Sequence, residues 1–211
     1  MRAPEGSPEP PPAEVAPGLW HWAAPHPEWR SGADPGSASD WPQRVGCVLY
    51  ELPEVSVLFD PQLPQAGRER FLAWLDARLR GRQVSILTTI RWHRRDRAQL
   101  AERYAEGRAH VWNWQPPGVI HHTLPGAGET LYWLPGAAAL VAGDRLVTGP
   151  GGRLAVCPES WLANEHVDRR GLAELLRPLL GLPVERVLVS HGEPVLADGL
   201  AALARAIAEA E

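Results

Sequence analysis

Lysine is missing from this 211-residue chain, and all 21 residues counted as Lys plus Arg are arginine. That excludes mechanisms that need a Schiff-base lysine or the lysine of a phosphate-binding P-loop. Arginine in place of lysine, beside the Ala, Gly and Pro load, looks like codon bias in a GC-rich bacterial genome. Cysteine is scarce as well. Cys47 and Cys157 stand far apart with no C-x-x-C spacing, so a reducing cytoplasm is expected and a disulfide framework is not. No apolar run is long enough to span a membrane, and the polar, proline-rich start MRAPEGSPEPPPAEVAPG is unlike a signal peptide. The net charge of −4 gives no sign of nucleic-acid binding. A GxSxG nucleophile elbow is also absent.

What is present suits one domain. The chain is 45% hydrophobic and 22% charged, enough for a sizeable core. Residues 1–17 read as a disordered proline-rich tail and 18–211 as a single domain. Apolar and β-branched runs predict strands over 45–52, 55–60 and 84–89, with a first strand within 18–29. Helical spacing of Phe71, Leu72, Leu75 and Leu79 predicts a helix over 65–80, and a second follows over 96–105. Strands are then expected at 118–122, 130–134, 138–142 and 154–156. A helix over 169–180, a strand over 184–190 and a final helix over 198–210 complete the chain. Strands and helices alternate as in a βαβ unit at first, and the second half ends similarly, which implies two sheets covered by helices.

Polar residues gather at four strand ends. They are 89-TIRWHRRD-96, 125-PGAGET-130, 141-VAGDRL-146 and 187-VLVSHGEP-194. A glycine beside a polar residue at such an end lets the backbone approach a ligand closely. In order and context these segments resemble the metallo-β-lactamase fold superfamily, an α/β fold built as a four-layer αββα sandwich. In that family a strand ends in T-H-x-H-x-D-H; then come a P-G-H-T turn, a strand ending in G-D and a strand ending in H-G. The segment 56-SVLFDPQLP-64 is similar to the family's early strand that ends in an Asp. The likeness runs from about Leu19 to the C-terminus.

The resemblance also implies a departure. Alignment puts Thr89 and Arg91 at the first two histidines of the motif, His93 at its Asp, Arg94 at its last His and Ala127 at the third histidine ligand. Threonine is a poor ligand, alanine is none and arginine keeps its proton. The usual dinuclear zinc site is therefore expected to be lost. His93, Asp144 and His191 stand where the family's second metal position takes its ligands. Two histidines and a carboxylate suit one Zn²⁺ or Fe²⁺ with a position left open for water. On that reading Asp144 and His93 are catalytic, Asp144 also orients the attacking water, and the substrate is an ester, thioester or amide. The alternative is metal-free. Arg91 would pair with Asp144, and Arg91, Arg94 and His191 would bind an anionic small molecule. A third reading is an interaction or structural protein that keeps only the fold. The family's hydroxyacylglutathione hydrolases carry an extra C-terminal helical domain that this sequence lacks, which weighs against that thioester. Either active reading expects a small-molecule partner, with no nucleic acid and no membrane.

Several residues have plainer readings. Of His121 and His122, either one reaches the pocket and replaces the ligand missing at Ala127, or one lies in the core and the other in solvent. His21 and His26, beside Trp22 and Trp29, either wall the pocket mouth or simply pack. Of the ten tryptophans, Trp92, Trp133, Trp161 and the 112-WNW-114 cluster are candidates for an apolar pocket or for the core. Cys157 is read as a buried thiol, Gly149–Gly152 as a turn, and Arg95 and Arg97 as a solvated helix face.

Overall fold

Alternation along the strands builds the architecture. The computed structural model describes residues 10–104 and 115–211. In β3 (Arg44–Glu51) Val48 and Tyr50 point to one face, Cys47 and Leu49 to the other. In β4 (Val55–Phe59) Val57 and Phe59 share the first face and Leu58 takes the second. With β1 (Ala13–Ala16), β2 (Leu19–Pro25) and β5 (Gln83–Leu87) these form a five-stranded sheet in the order β1-β2-β3-β4-β5. Only the β4–β5 pair is parallel.

One face of this sheet carries α1 (Arg68–Leu79) and α2 (Arg97–Tyr104), through Phe71, Leu75, Leu79, Leu100 and Ala101. Its other face meets a second sheet, ordered β11-β8-β7-β6. These strands are β6 (Ile120–Leu124), β7 (Glu129–Leu134), β8 (Ala139–Val141) and β11 (Arg186–Leu188). Tyr132, Leu134, Val141 and Leu188 fill the space between the sheets. Leu131, Trp133, Leu140 and Val187 face outward, against α3 (Arg169–Leu176) and α4 (Gly199–Ala208). The layers are thus helix, sheet, sheet, helix, as expected.

Four expectations need correction. The stretch 1–17 is not wholly a tail. Ala13–Ala16 forms β1 on the edge of the first sheet, joined to β2 by a turn with Gly18 at φ 70°, and residues 1–9 lie outside the described part. A short β9 (Leu146–Thr148) pairs with β10 (Leu154–Val156) in a ribbon not anticipated. The helix expected over 169–180 is α-helical only to Leu176 and tightens to a 3-10 turn at Arg177–Gly181. Pro178 has no N–H for the α-helical ladder. The strand expected at 118–122 sits two residues later, as β6. The 112–114 cluster lies outside the described residues. No described helix is long and apolar enough to cross a membrane.

Candidate metal centre

Four chain segments converge beyond the ends of β4, β5, β8 and β11. Asp60 follows β4 with a left-handed backbone, φ 45°. Its carboxylate accepts bonds from the Thr89 amide at 2.9 Å and from the Thr89 hydroxyl, and its Oδ2 lies 2.9 Å from His93 Nδ1. Asp60 therefore fixes the His93 ring from behind. On the ring's other side, His93 Nε2 lies 2.9 Å from Asp144 Oδ1. His191 Nε2 reaches the same oxygen at 3.1 Å. The second oxygen, Oδ2, accepts from the indole N–H of Trp92 at 2.7 Å.

Buried groups hold these residues in place. The Glu129 carboxylate accepts the amides of Gly143, Asp144 and Arg145 at 2.9, 2.7 and 2.9 Å, which fixes the turn that presents Asp144. Gly143 is required there, because a Cβ would lie 2.4 Å from the Thr89 hydroxyl. The close approach foreseen for that glycine is thus made by the protein's own side chains. His191 is fixed by a backbone bridge to Val45, and Gly46 donates to the Ser190 carbonyl at 2.8 Å. A Cβ on Gly46 would come within 2.2 Å of the Val189 carbonyl oxygen.

Charge follows this geometry. Burial alone would lower His93, but the carboxylates of Asp144 and Asp60 outweigh both burial and the Arg95 charge and raise it to about 9. Burial likewise disfavours the Asp144 anion, yet His93 and His191 hold its carboxyl well below the usual range. Burial keeps His191 lowered in spite of Asp144. Burial and the Asp144 charge push Glu129 up to about 7, against the amides that favour its ionised form.

His93, Asp144 and His191 are all buried, and one donor atom from each lies within 4.8 Å of the other two. They form a set able to hold one metal ion. Among the described residues no second group of three or more such donors is so close. The donor types fit a transition metal, and the Asp60–His93 contact is the carboxylate support that metal-bound histidines usually have. The buried Nδ1 of His191 has no such partner.

The aligned positions fall elsewhere. The Thr89 hydroxyl is bound to Asp60. Ala127 offers only its carbonyl, which accepts from Arg145 Nε at 2.7 Å. Arg91 and Arg94 are exposed and line a different cavity from His191. The expected Arg91–Asp144 pair is therefore absent, and Trp92 and the two histidines take its place. A single pocket of Arg91, Arg94 and His191 does not form either.

Three residues matter that the sequence did not place at the site. Arg95, assigned to a solvated face, turns inward at φ 40° and donates to the Gly46 and Asp60 carbonyls and the Ser190 hydroxyl. Arg145 is fully buried, ion-paired to Glu165 at 2.9 Å and bonded to the Trp161 carbonyl. Trp41 stacks edge-on against His191, as Trp161 does from another side. With Trp92 and His26 they wall a cavity of about 250 Å³ over the three donors. His26 thus does wall the mouth, whereas Trp22 belongs to the core. His121 is exposed, His122 is half-buried, and neither is among the three converging donors. Burial pushes the Cys47 and Cys157 thiols up to about 11 and about 12, so neither is an activated nucleophile.

Comparison of the whole fold agrees with this architecture. The DIM-1 metallo-β-lactamase exposed to ceftazidime superposes with a TM-score of 0.61 at 12% identity, over 97% of this chain and 99% of that one. Its fold is that of the metallo-β-lactamases. A metallo-β-lactamase from Erythrobacter litoralis, with β-mercaptoethanol in its active site, gives 0.59 at 15% identity over 94% of this chain and 96% of that one. A metallo-β-lactamase family protein from Thermus thermophilus gives 0.52 at 17% identity, over 93% and 80%. No family profile and no curated protein matches the sequence. At such identities the likeness speaks for the fold, and function has to be argued from the site.

Proposed function

We propose that this metallo-β-lactamase-fold chain is a hydrolase-like protein with one metal ion, Zn²⁺ or Fe²⁺, held by His93, Asp144 and His191. The convergence of these three donors under a tryptophan-walled cavity, with Asp60 behind His93, carries the reading. A bound ion there would supply Lewis acidity, polarising a carbonyl oxygen and acidifying water. The protein does the rest. Asp60 keeps His93 Nδ1 occupied, so that Nε2 faces the cavity. Trp92 holds one Asp144 oxygen and leaves the other for the ion. Trp41, Trp92 and Trp161 exclude water and offer apolar surface to a small ester, thioester or amide. Arg95 opposes a cation, and its contacts with carbonyl oxygens moderate that charge. Two buried thiols accord with a cytoplasmic protein.

A second reading has its own observation. His93 lies between two carboxylates at 2.9 Å each, so the network closes without an ion as a charged imidazole between Asp60 and Asp144. Elemental mass spectrometry separates the two. Protein purified without chelator or polyhistidine tag should carry about one equivalent of Zn or Fe, and Asp144→Ala should lose it. Absence of metal from the native chain, even after incubation with Zn²⁺, would establish the metal-free reading instead.

A further inference from the structure

The segment 88–97 has two working faces. Over residues 91–96 it runs as a series of turns into α2, so residues three apart there share a side. Trp92, His93 and Arg95 face the metal centre. Arg91, Arg94 and Arg97 face a second cavity, of about 400 Å³, on the other side. Thr88, Thr123 and Thr130 also line it.

The charge of this cavity is one-sided. Among the described residues no Asp or Glu lines it. Arg91 stacks on Trp92 at 4.8 Å, and the side chains of Arg91 and Arg94 make no hydrogen bond or ion pair within the described part. Arg97 is anchored deeper, donating to the Thr88 hydroxyl at 3.3 Å. Burial and the neighbouring Arg94 charge both lower its pKa, as expected of like charges held close. A surface helix face disperses its arginines or pairs them with carboxylates. Here Arg91 and Arg94 share one concavity beside Arg97, and the charge of those two is relieved by an anion.

We propose that this cavity is a second ligand site, for a small phosphorylated molecule. A phosphoryl group brings a charge of about −1.5 to −2 at neutral pH and three acceptor oxygens. That matches several guanidinium forks and hydroxyl donors better than a single carboxylate does. The volume lies within the roughly 300–1,000 Å³ of small-molecule sites. Because the arginines point away from His93 and Asp144, the site stands whether or not a metal is bound.

Titration calorimetry of the full chain with inorganic pyrophosphate at constant ionic strength tests this. Saturable binding is expected, weakened by at least about tenfold in Arg91→Gln/Arg94→Gln. It should be unchanged in Arg205→Gln, an exposed arginine on α4. It should also persist in 1,10-phenanthroline, a neutral chelator, which separates this site from the metal centre. Thermal melting without ligand checks that the double variant folds, and Arg94→Gln alone, lowering affinity in the same direction, serves if it does not. Lack of saturable binding, retention by the arginine variants, equal loss in Arg205→Gln, loss on chelation, or citrate binding as tightly as pyrophosphate would each overturn the proposal.

Discussion

At the scale of single residues the centre depends on Asp60. Its left-handed backbone is a conformation that Asp and Asn tolerate better than most residues. Its carboxylate serves Thr89 and His93 together. Asp60→Asn should keep the backbone but remove the charge and one acceptor. Metal affinity should then fall about 10–100-fold, the usual cost of losing such support, as read by competition with a chromogenic chelator. A preparation that keeps its affinity would mean that Asp60 does not orient the ligand. Of this arrangement the sequence pointed to the three donors through the resemblance, because they stand where the family's second metal position takes its ligands. It did not show Glu129 or Arg145 as structural, since their partners lie in other segments and only folding brings them within reach.

At the scale of elements, the segment 88–97 explains where alignment misled. Laid on the family motif, Arg91 and Arg94 take inward ligand positions. In the structure the segment is a chain of turns, and the positive φ at Arg95 swings that side chain inward while Arg91 and Arg94 go out. A motif records order along the chain, whereas direction depends on backbone angles that arginines do not announce. The start of α3 at Arg169 was more legible. Asp168 precedes α3, and its side chain accepts from the Gly171 amide at 2.8 Å. Asp168→Ala should cost about 0.5–2 kcal/mol in urea unfolding, the range for losing an N-cap. The metal content should be unaffected, because α3 covers the outer face of the second sheet.

At the scale of the whole molecule, the layered core sets the response to pH. His21 sits half-buried in β2 with its Nε2 unpartnered, close to the place where Gly46 meets the second sheet. Burial lowers it to about 4. The unfolded chain binds that proton near pH 6.5, so between pH 6.5 and 4 acid favours unfolding. The contribution is complete above pH 6.5 and is lost as pH falls through the window. It should amount to roughly 2–3 kcal/mol, allowing for partial exposure. His21→Gln should flatten the stability profile over that range in denaturant titrations at successive pH values. An unchanged slope would assign the acid sensitivity to other groups.

The sequence by itself determined the layers. Alternating apolar residues in β3, β4 and β7 can satisfy both faces only between another sheet and a helix layer. It also put His93, Asp144 and His191 in the segments that follow β5, β8 and β11. Tertiary structure alone decided that the two histidines share one Asp144 oxygen, that Arg95 enters the centre, and that Arg91, Arg94 and Arg97 line a cavity behind it. The physical reason is range. Periodicity is a local property written residue by residue, while a site is a set of distances between segments as far apart in sequence as Trp41 and His191, fixed only when the two sheets close on each other.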